Sequence, residues 1–311
     1  MSTIIFPKKI KKGDPIVIIS PAGSVTEDQM NAGIKMISDR GYEPVLSKHL
    51  YSSYKYGYNY AGTEKQRRED LQWALDCKDF GAIWASRGGY GCQHLLSGLN
   101  LKDFKKRPKW YIGYSDNTVV QSYLLKHSFA SLHGQTVKTS SFGVSKESYD
   151  LVFDVLKNKP LSYSFKSYDL NRKGKAKGQL VGGNLALIYA LLGTKYSFNF
   201  NNNILFIEEI GENYYALDRM LMSLELAGVF NKISGLIVGG MTNMGNEKEN
   251  KNYESSFDDF SVELIHKRIK KYDFPVVFNF PNGHIFENRP LIIGAEVKLK
   301  VADSYSIDFK F

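Results

Sequence analysis

Gly113, Tyr114, Ser115 and Asp116 stand where an apolar run, KWYIGY at 109–114, gives way to a helical pattern. A serine in such a strand-to-helix turn projects its hydroxyl from the carboxyl end of a sheet. The amide of the next residue then lies at a helix N-terminus, where it can stabilise an oxyanion. Asn117 occupies the place of the second glycine of G-x-S-x-G, and serine is also a favoured helix N-cap, so nucleophile and cap are both open readings of Ser115. A second concavity is RGGYG at 87–91, again after an apolar run. Its glycines allow a ligand close to the backbone, and Arg87 offers a fork for a carboxylate or phosphate, although a plain tight turn explains the same residues. It lacks the Lys-Ser/Thr ending of a phosphate-binding P-loop and the spacing of G-x-G-x-x-G.

A serine nucleophile needs a base, and the chain has six histidines: His49, His94, His127, His133, His266 and His284. His284 lies in PNGHIFEN, a turn-rich stretch after FPVVFNF, where an imidazole can be presented without full burial. His133, in SLHGQ, is the runner-up. The imidazole in turn needs an orienting carboxylate. Glu208 and Glu209 end the apolar run ILFIEE at 204–209, and side-chain alternation on a strand lets only one of them face the histidine.

The elements that must position these residues are legible as periodicity. PIVIIS (15–20), EPVLS (43–47), GAIWAS (81–86), KWYIGY and the run at 129–132 read as short buried strands. They alternate with amphipathic helices after Thr26, at 64–77, at 117–126 and at 147–157. Thr26 and Gln29 have capping-box spacing, and Gly41 suits the position after the helix. The tyrosine-rich stretch 51–63 reads as a surface loop. Strands alternating with helices indicate a parallel sheet covered on both faces. In the second half, a helical centre is expected within 181–193 and a helix at 215–227, strands at 204–209 and 235–240, and an antiparallel pair at the period-two C-terminus. The fold class is therefore α/β, an N-terminal parallel-sheet domain at 1–160 and a smaller β-rich α+β domain at 178–311, joined by a polar, basic linker at 161–177.

Lys plus Arg exceed Asp plus Glu by 41 to 32, a net charge of +9. The excess sits in short lysine runs without a nucleic-acid-binding motif, which points to solvated loops and no nucleic-acid partner. Two cysteines, Cys77 and Cys92, form neither a disulfide framework nor a zinc pattern. No secretory signal or membrane-length apolar run is present, so a cytoplasmic protein without a membrane partner is expected.

Taken together, GDPIVIISPAGS near the start, AGT (61–63), RGGYG, IGYSD (112–116), HG (133–134), GQLVGGNL (178–185), LFIEEIGE (205–212), LDRML (217–221) and GH (283–284) resemble the LD-carboxypeptidase family over nearly the whole chain. That family comprises serine peptidases that trim murein tetrapeptides, together with the microcin C immunity peptidases. The resemblance implies Ser115 as nucleophile, His284 as base, Glu208 as the orienting acid and the amides of Gly88 and Asp116 as oxyanion donors. It implies a site formed between the domains, no metal or organic cofactor, a small murein peptide as substrate and a homodimer. Arg87 would bind the terminal carboxylate, and its presence in RGGYG points to the murein-recycling branch over an immunity peptidase acting on aminoacyl adenylates. Glu209 falls where the family usually has Asp, and Ile285 where small residues are frequent. From another class, the same glycine loops and net charge would also suit a catalytically silent anion-binding module.

Overall fold

Ile16, Val17, Ile18 and Ile19 are wholly buried because the strand they form is central. That strand, β1 (Pro15–Ile19), belongs to the first of two units into which the computed structural model divides, Met1–Lys159 and Pro160–Phe311. Residues 3–245 and 257–311 are described. In the first unit β1 is followed by α1 (Glu27–Asp39), β2 (Glu43–Leu46), a small hairpin of β3 (Tyr54–Lys55) and β4 (Asn59–Tyr60), α2 (Glu64–Asp76), β5 (Ala82–Ala85), β6 (Trp110–Gly113), α3 (Thr118–Lys126), β7 (Ser131–His133) and α4 (Lys146–Leu156). Thr26 and Thr63 each close a capping box with the glutamine three residues on, which fixes where α1 and α2 begin. The stretch expected as a loop at 51–63 thus contains the β3–β4 hairpin, and the turn after 87–91 continues as a 3₁₀ helix, Cys92–Gly98.

Within this unit the strands run β7-β6-β5-β1-β2, all parallel. Chain order reverses between β1 and β5, the usual place for a ligand in an open α/β sheet, and here the loops that follow the two strands meet, the Gly23 amide donating to the Gly88 carbonyl at 3.2 Å. β6 is the next strand over, in register with β5 at Trp84↔Ile112. The residues after β1, β5 and β6 are therefore neighbours by topology.

The second unit holds β8 (Ser162–Lys166), β9 (Gly174–Asn184), α5 (Leu185–Leu191), β10 (Ile204–Ile210), α6 (Tyr214–Leu226), β11 (Gly235–Thr242), α7 (Asp259–Ile269), β12 (Val276–Val277), β13 (Leu291–Ile293), β14 (Glu296–Val301) and β15 (Ser304–Lys310). Its main sheet runs β12-β11-β10-β9-β14-β15-β8. The β12 to β9 half is parallel and the β9 to β8 half antiparallel. The stretch 161–177 is not an irregular linker, since it supplies β8 and the first residues of β9. No element was expected at 259–269, where Asp258 caps α7 through the Ser261 amide. β10 is buried from Ile204 to Glu209: the apolar run at 204–207 requires it, and the two glutamates that follow are buried with it. Among the described residues no helix is long and apolar enough to cross a membrane.

Candidate functional site

β6 ends at Gly113, and Ser115 sits in the turn to α3 with φ at 63°. The left-handed region is costly for a residue with a Cβ unless the surroundings impose it. Of the other non-glycine residues with positive φ among the described residues, four are asparagines, which tolerate this region, and Ser128 follows the C-cap of α3, where left-handed backbone is routine. Ser115 has neither excuse. Its hydroxyl makes no capping bond: the residue before the 3₁₀ turn Ser115–Asn117 is Tyr114, and Asn117 precedes α3, neither position being capped by a side chain. What holds the turn is Asn117, fully buried, which accepts from the Tyr111 hydroxyl at 2.5 Å and donates to the Tyr114 carbonyl at 3.0 Å. A Cβ on Gly113 would lie 2.8 Å from Asn117 Cγ, so the glycine and the asparagine require each other. Asn117 was legible only as a departure from G-x-S-x-G, yet it does the bracing.

The loop after β5 closes on the same turn. A Cβ on Gly88 would stand 2.7 Å from Ser115 Cβ and 2.9 Å from its Oγ, so only glycine lets the two backbones approach. Gly88 also accepts from the Gly23 amide at 3.2 Å, which joins the loop after β1. Beneath them, buried Arg67 donates to the carbonyls of Pro21 and Gly91, each at 2.8 Å, with its guanidinium 4.9 Å from the Tyr60 ring. Nothing in the charged helix sequence around Arg67 marks it as a tie between loops.

Asp116 points inward, where its carboxylate accepts from the Cys92 amide at 2.7 Å. Burial pushes its carboxyl up to about 6, although the Cys92 hydrogen bonds and the Arg67 charge favour the ionised form. A native pKa above the unfolded one means that, as pH rises from about 4 to about 6, the unfolded chain gives up its proton first and stability falls by about 3 kcal/mol, then levels. Asp116→Asn keeps an oxygen for the Cys92 amide and is expected to remove that part of the fall in a series of thermal melts across this window. An identical pH profile for the variant would contradict it.

Arg87 donates Nη1 to the Ser24 carbonyl at 3.1 Å and, among the described residues, forms no ion pair. The other histidines are accounted for locally. His133 is wholly buried with Nδ1 3.3 Å from Gln121 Oε1, His49 pairs with Asp70 at 2.8 Å, and His127 Nδ1 lies 2.9 Å from the Tyr123 carbonyl. His94 packs against Tyr60 and Tyr90, and His266 against Phe278.

In the second unit, the structure brings His284 to Glu208, with Nδ1 2.8 Å from Oε2 of a carboxylate that is fully buried. Gly283, at φ 119°, makes this possible, since a Cβ there would come 3.0 Å from both Glu208 Cβ and Oε2. The turn is braced by Asn282, which donates to the Arg289 carbonyl at 2.6 Å, and by Asn288, which accepts from the Gly283 amide at 3.2 Å. With a proton on Nδ1 shared with Glu208, Nε2 is the basic nitrogen. Glu209 turns to the other face. It accepts from Asn184 Nδ2 at 2.8 Å, from the Ala186 amide at 2.7 Å and from the Ile210 amide at 2.9 Å, tying β10 to β9 and to the start of α5. Burial, and then the Glu208 charge, push it up to about 7. Of the six residues expected at the site, Gly88, Ser115, Asp116 and Arg87 lie in the first unit, and Glu208 and His284 in the second.

Comparison with known proteins gives these features a context. The model of the LD-carboxypeptidase N-terminal domain matches residues 16–134 and that of the C-terminal domain residues 177–299. A Synechocystis sp. protein named as a carboxypeptidase, slr1534, is 32% identical over 94% of this chain and 93% of its own length. The murein tetrapeptide carboxypeptidase of Pseudomonas aeruginosa is 27% identical over 88% of this chain and 89% of its own. The crystal structure of muramoyltetrapeptide carboxypeptidase from Oxalobacter formigenes superposes with a TM-score of 0.83 at 26% identity, covering 96% of this chain and 99% of the other.

Proposed function

We infer, since the chain belongs to the LD-carboxypeptidase family, that it is a serine-type peptidase releasing the terminal D-alanine of murein tetrapeptides by hydrolysing the bond from the L-centre of the preceding diamino acid. The observation that carries this reading is the Glu208–His284 pair, a buried carboxylate fixing an imidazole so that its other nitrogen is a base. The strained turn at Ser115, pressed against Gly88, supports it from the nucleophile's side. The names of the Pseudomonas and Oxalobacter relatives supply the substrate class.

In this mechanism the Ser115 hydroxyl attacks the scissile carbonyl carbon as its proton passes to His284 Nε2, and the Gly88 and Asp116 amides hold the resulting oxyanion. His284 then protonates the amine, the C–N bond breaks, and D-alanine leaves an acyl-Ser115. Water gives a proton to His284 and its oxygen to the acyl carbon, which frees the tripeptide and restores Ser115. No step calls on a metal or organic cofactor. The setting would be peptidoglycan recycling in the cytoplasm, by a homodimer.

An exopeptidase must recognise a free carboxylate, and Arg87, with no acidic partner among the described residues, is suited to it. Arg87→Ala is expected to raise KM at least tenfold with a smaller change in kcat, measured in steady-state D-alanine release. An unchanged KM would remove Arg87 from this role. The reading as a whole is tested by mass spectrometry of a murein tetrapeptide digest. Loss of one D-alanine is the expected result. Turnover of an aminoacyl adenylate in its place would favour an immunity-type peptidase, and turnover of neither a silent binding module.

A further inference from the structure

Past His133 the chain runs beside the end of β5, where the Val137 amide donates to the Ala85 carbonyl at 3.2 Å and the Lys138 amide to the Ser86 carbonyl at 2.8 Å. Lys138 is thereby held against the residue that precedes Arg87. It is only partly exposed, and its ammonium lies 5.4 Å from the centre of the Phe142 ring. Burial first, and then the Arg87 charge, pull its ammonium down to about 8, the sign of two cations within each other's field. Neither Lys138 nor Arg87 has an ion-pair partner among the described residues, and the one side-chain hydrogen bond that Arg87 makes there goes to a neutral carbonyl. Two half-buried like charges held together without a counter-ion destabilise each other, and an anion between them relieves the repulsion. Arg87 immediately precedes Gly88, the residue pressed against Ser115.

We propose that Arg87 and Lys138 form one anion site that takes the terminal carboxylate of the substrate, the guanidinium fork on one oxygen and the ammonium on the other. This rests on the carboxypeptidase reading for the identity of the anion, though not for the existence of the site. A carboxylate has two oxygens, and Arg87, with one arm committed to Ser24, leaves the second to a point charge. Lys138 is then what separates a peptide acid from a peptide amide.

The test uses calorimetry on the full chain with Ser115→Ala, which removes turnover, and two probes, N-acetyl-L-lysyl-D-alanine and its C-terminal amide. The acid is expected to bind at least tenfold more tightly than the amide. Lys138→Met in the same background should erase most of that preference, and Lys138→Arg should keep it. Equal affinity for acid and amide, no measurable binding of either, or an intact preference in Lys138→Met would each overturn the proposal. D-alanine release by the unmodified protein is read separately. Release together with an unaltered acid preference in Lys138→Met leaves the peptidase standing and sinks the anion site; a preference lost in Lys138→Met without release by the unmodified protein does the reverse.

Discussion

Ser115→Ala is expected to lower the single-turnover rate of D-alanine release by a factor of ~10⁴ or more, with the fold retained. Removing the oxygen that forms the acyl bond leaves only substrate binding and the oxyanion donors, and these sustain a small residue of catalysis over water in serine peptidases generally. The fold should not suffer, because Asn117 and Gly113, not the serine hydroxyl, hold the turn. A companion substitution separates chemistry from strain. At φ 63° a Cβ is unfavourable, so Ser115→Gly should be as inactive as the alanine variant yet more stable by about 1 kcal/mol, read as a rise in Tm. More than a tenth of the original rate in either variant would show that another residue is the nucleophile.

The first unit was legible because its signals are local and loud. Threonine-glutamine caps start α1 and α2, and fully apolar runs mark β1, β5 and β6. β9 was missed for a physical reason. Its first half presents Lys175 and Lys177 to solvent and only Gly174, Ala176 and Gly178 to the other face, so the period-two pattern has almost no hydrophobic amplitude. Small residues are required there, since a Cβ on Gly178 would meet the Asn202 carbonyl oxygen at 2.5 Å. α7 has an apolar stripe of Val262, Ile265 and Ile269, diluted by the charges around it. At the candidate site, alternation along β10 says that Glu208 and Glu209 face opposite ways but not which faces the histidine. That depends on where the turn at Gly283 arrives from, a contact 76 residues distant along the chain. Arg67 and Asp116 carry no local mark of their tasks, because the loops they join meet only once the β1-β5-β6 order is set.

Glu208→Gln is expected to cut kcat by a factor of ~10³–10⁴ while leaving the protein at least as stable as before. The carboxylate accepts at Nδ1 and so leaves Nε2 basic, whereas an amide can turn its NH₂ toward the ring and stabilise the opposite tautomer, in which Nε2 carries the proton and cannot accept one from Ser115. The imidazolium formed during attack also loses its counter-charge. Stability moves the other way, since the substitution takes a wholly buried charge out of the interior and relieves its neighbour Glu209 of like-charge repulsion. Glu209→Gln is the matched control. Its three hydrogen bonds come from an amide side chain and two backbone amides, so the cost there falls on the packing of β9, β10 and α5 and on Tm, with kcat largely kept. If both variants lost stability and neither lost more than tenfold in kcat, Glu208 would be a structural acid and the base at His284 would need another partner.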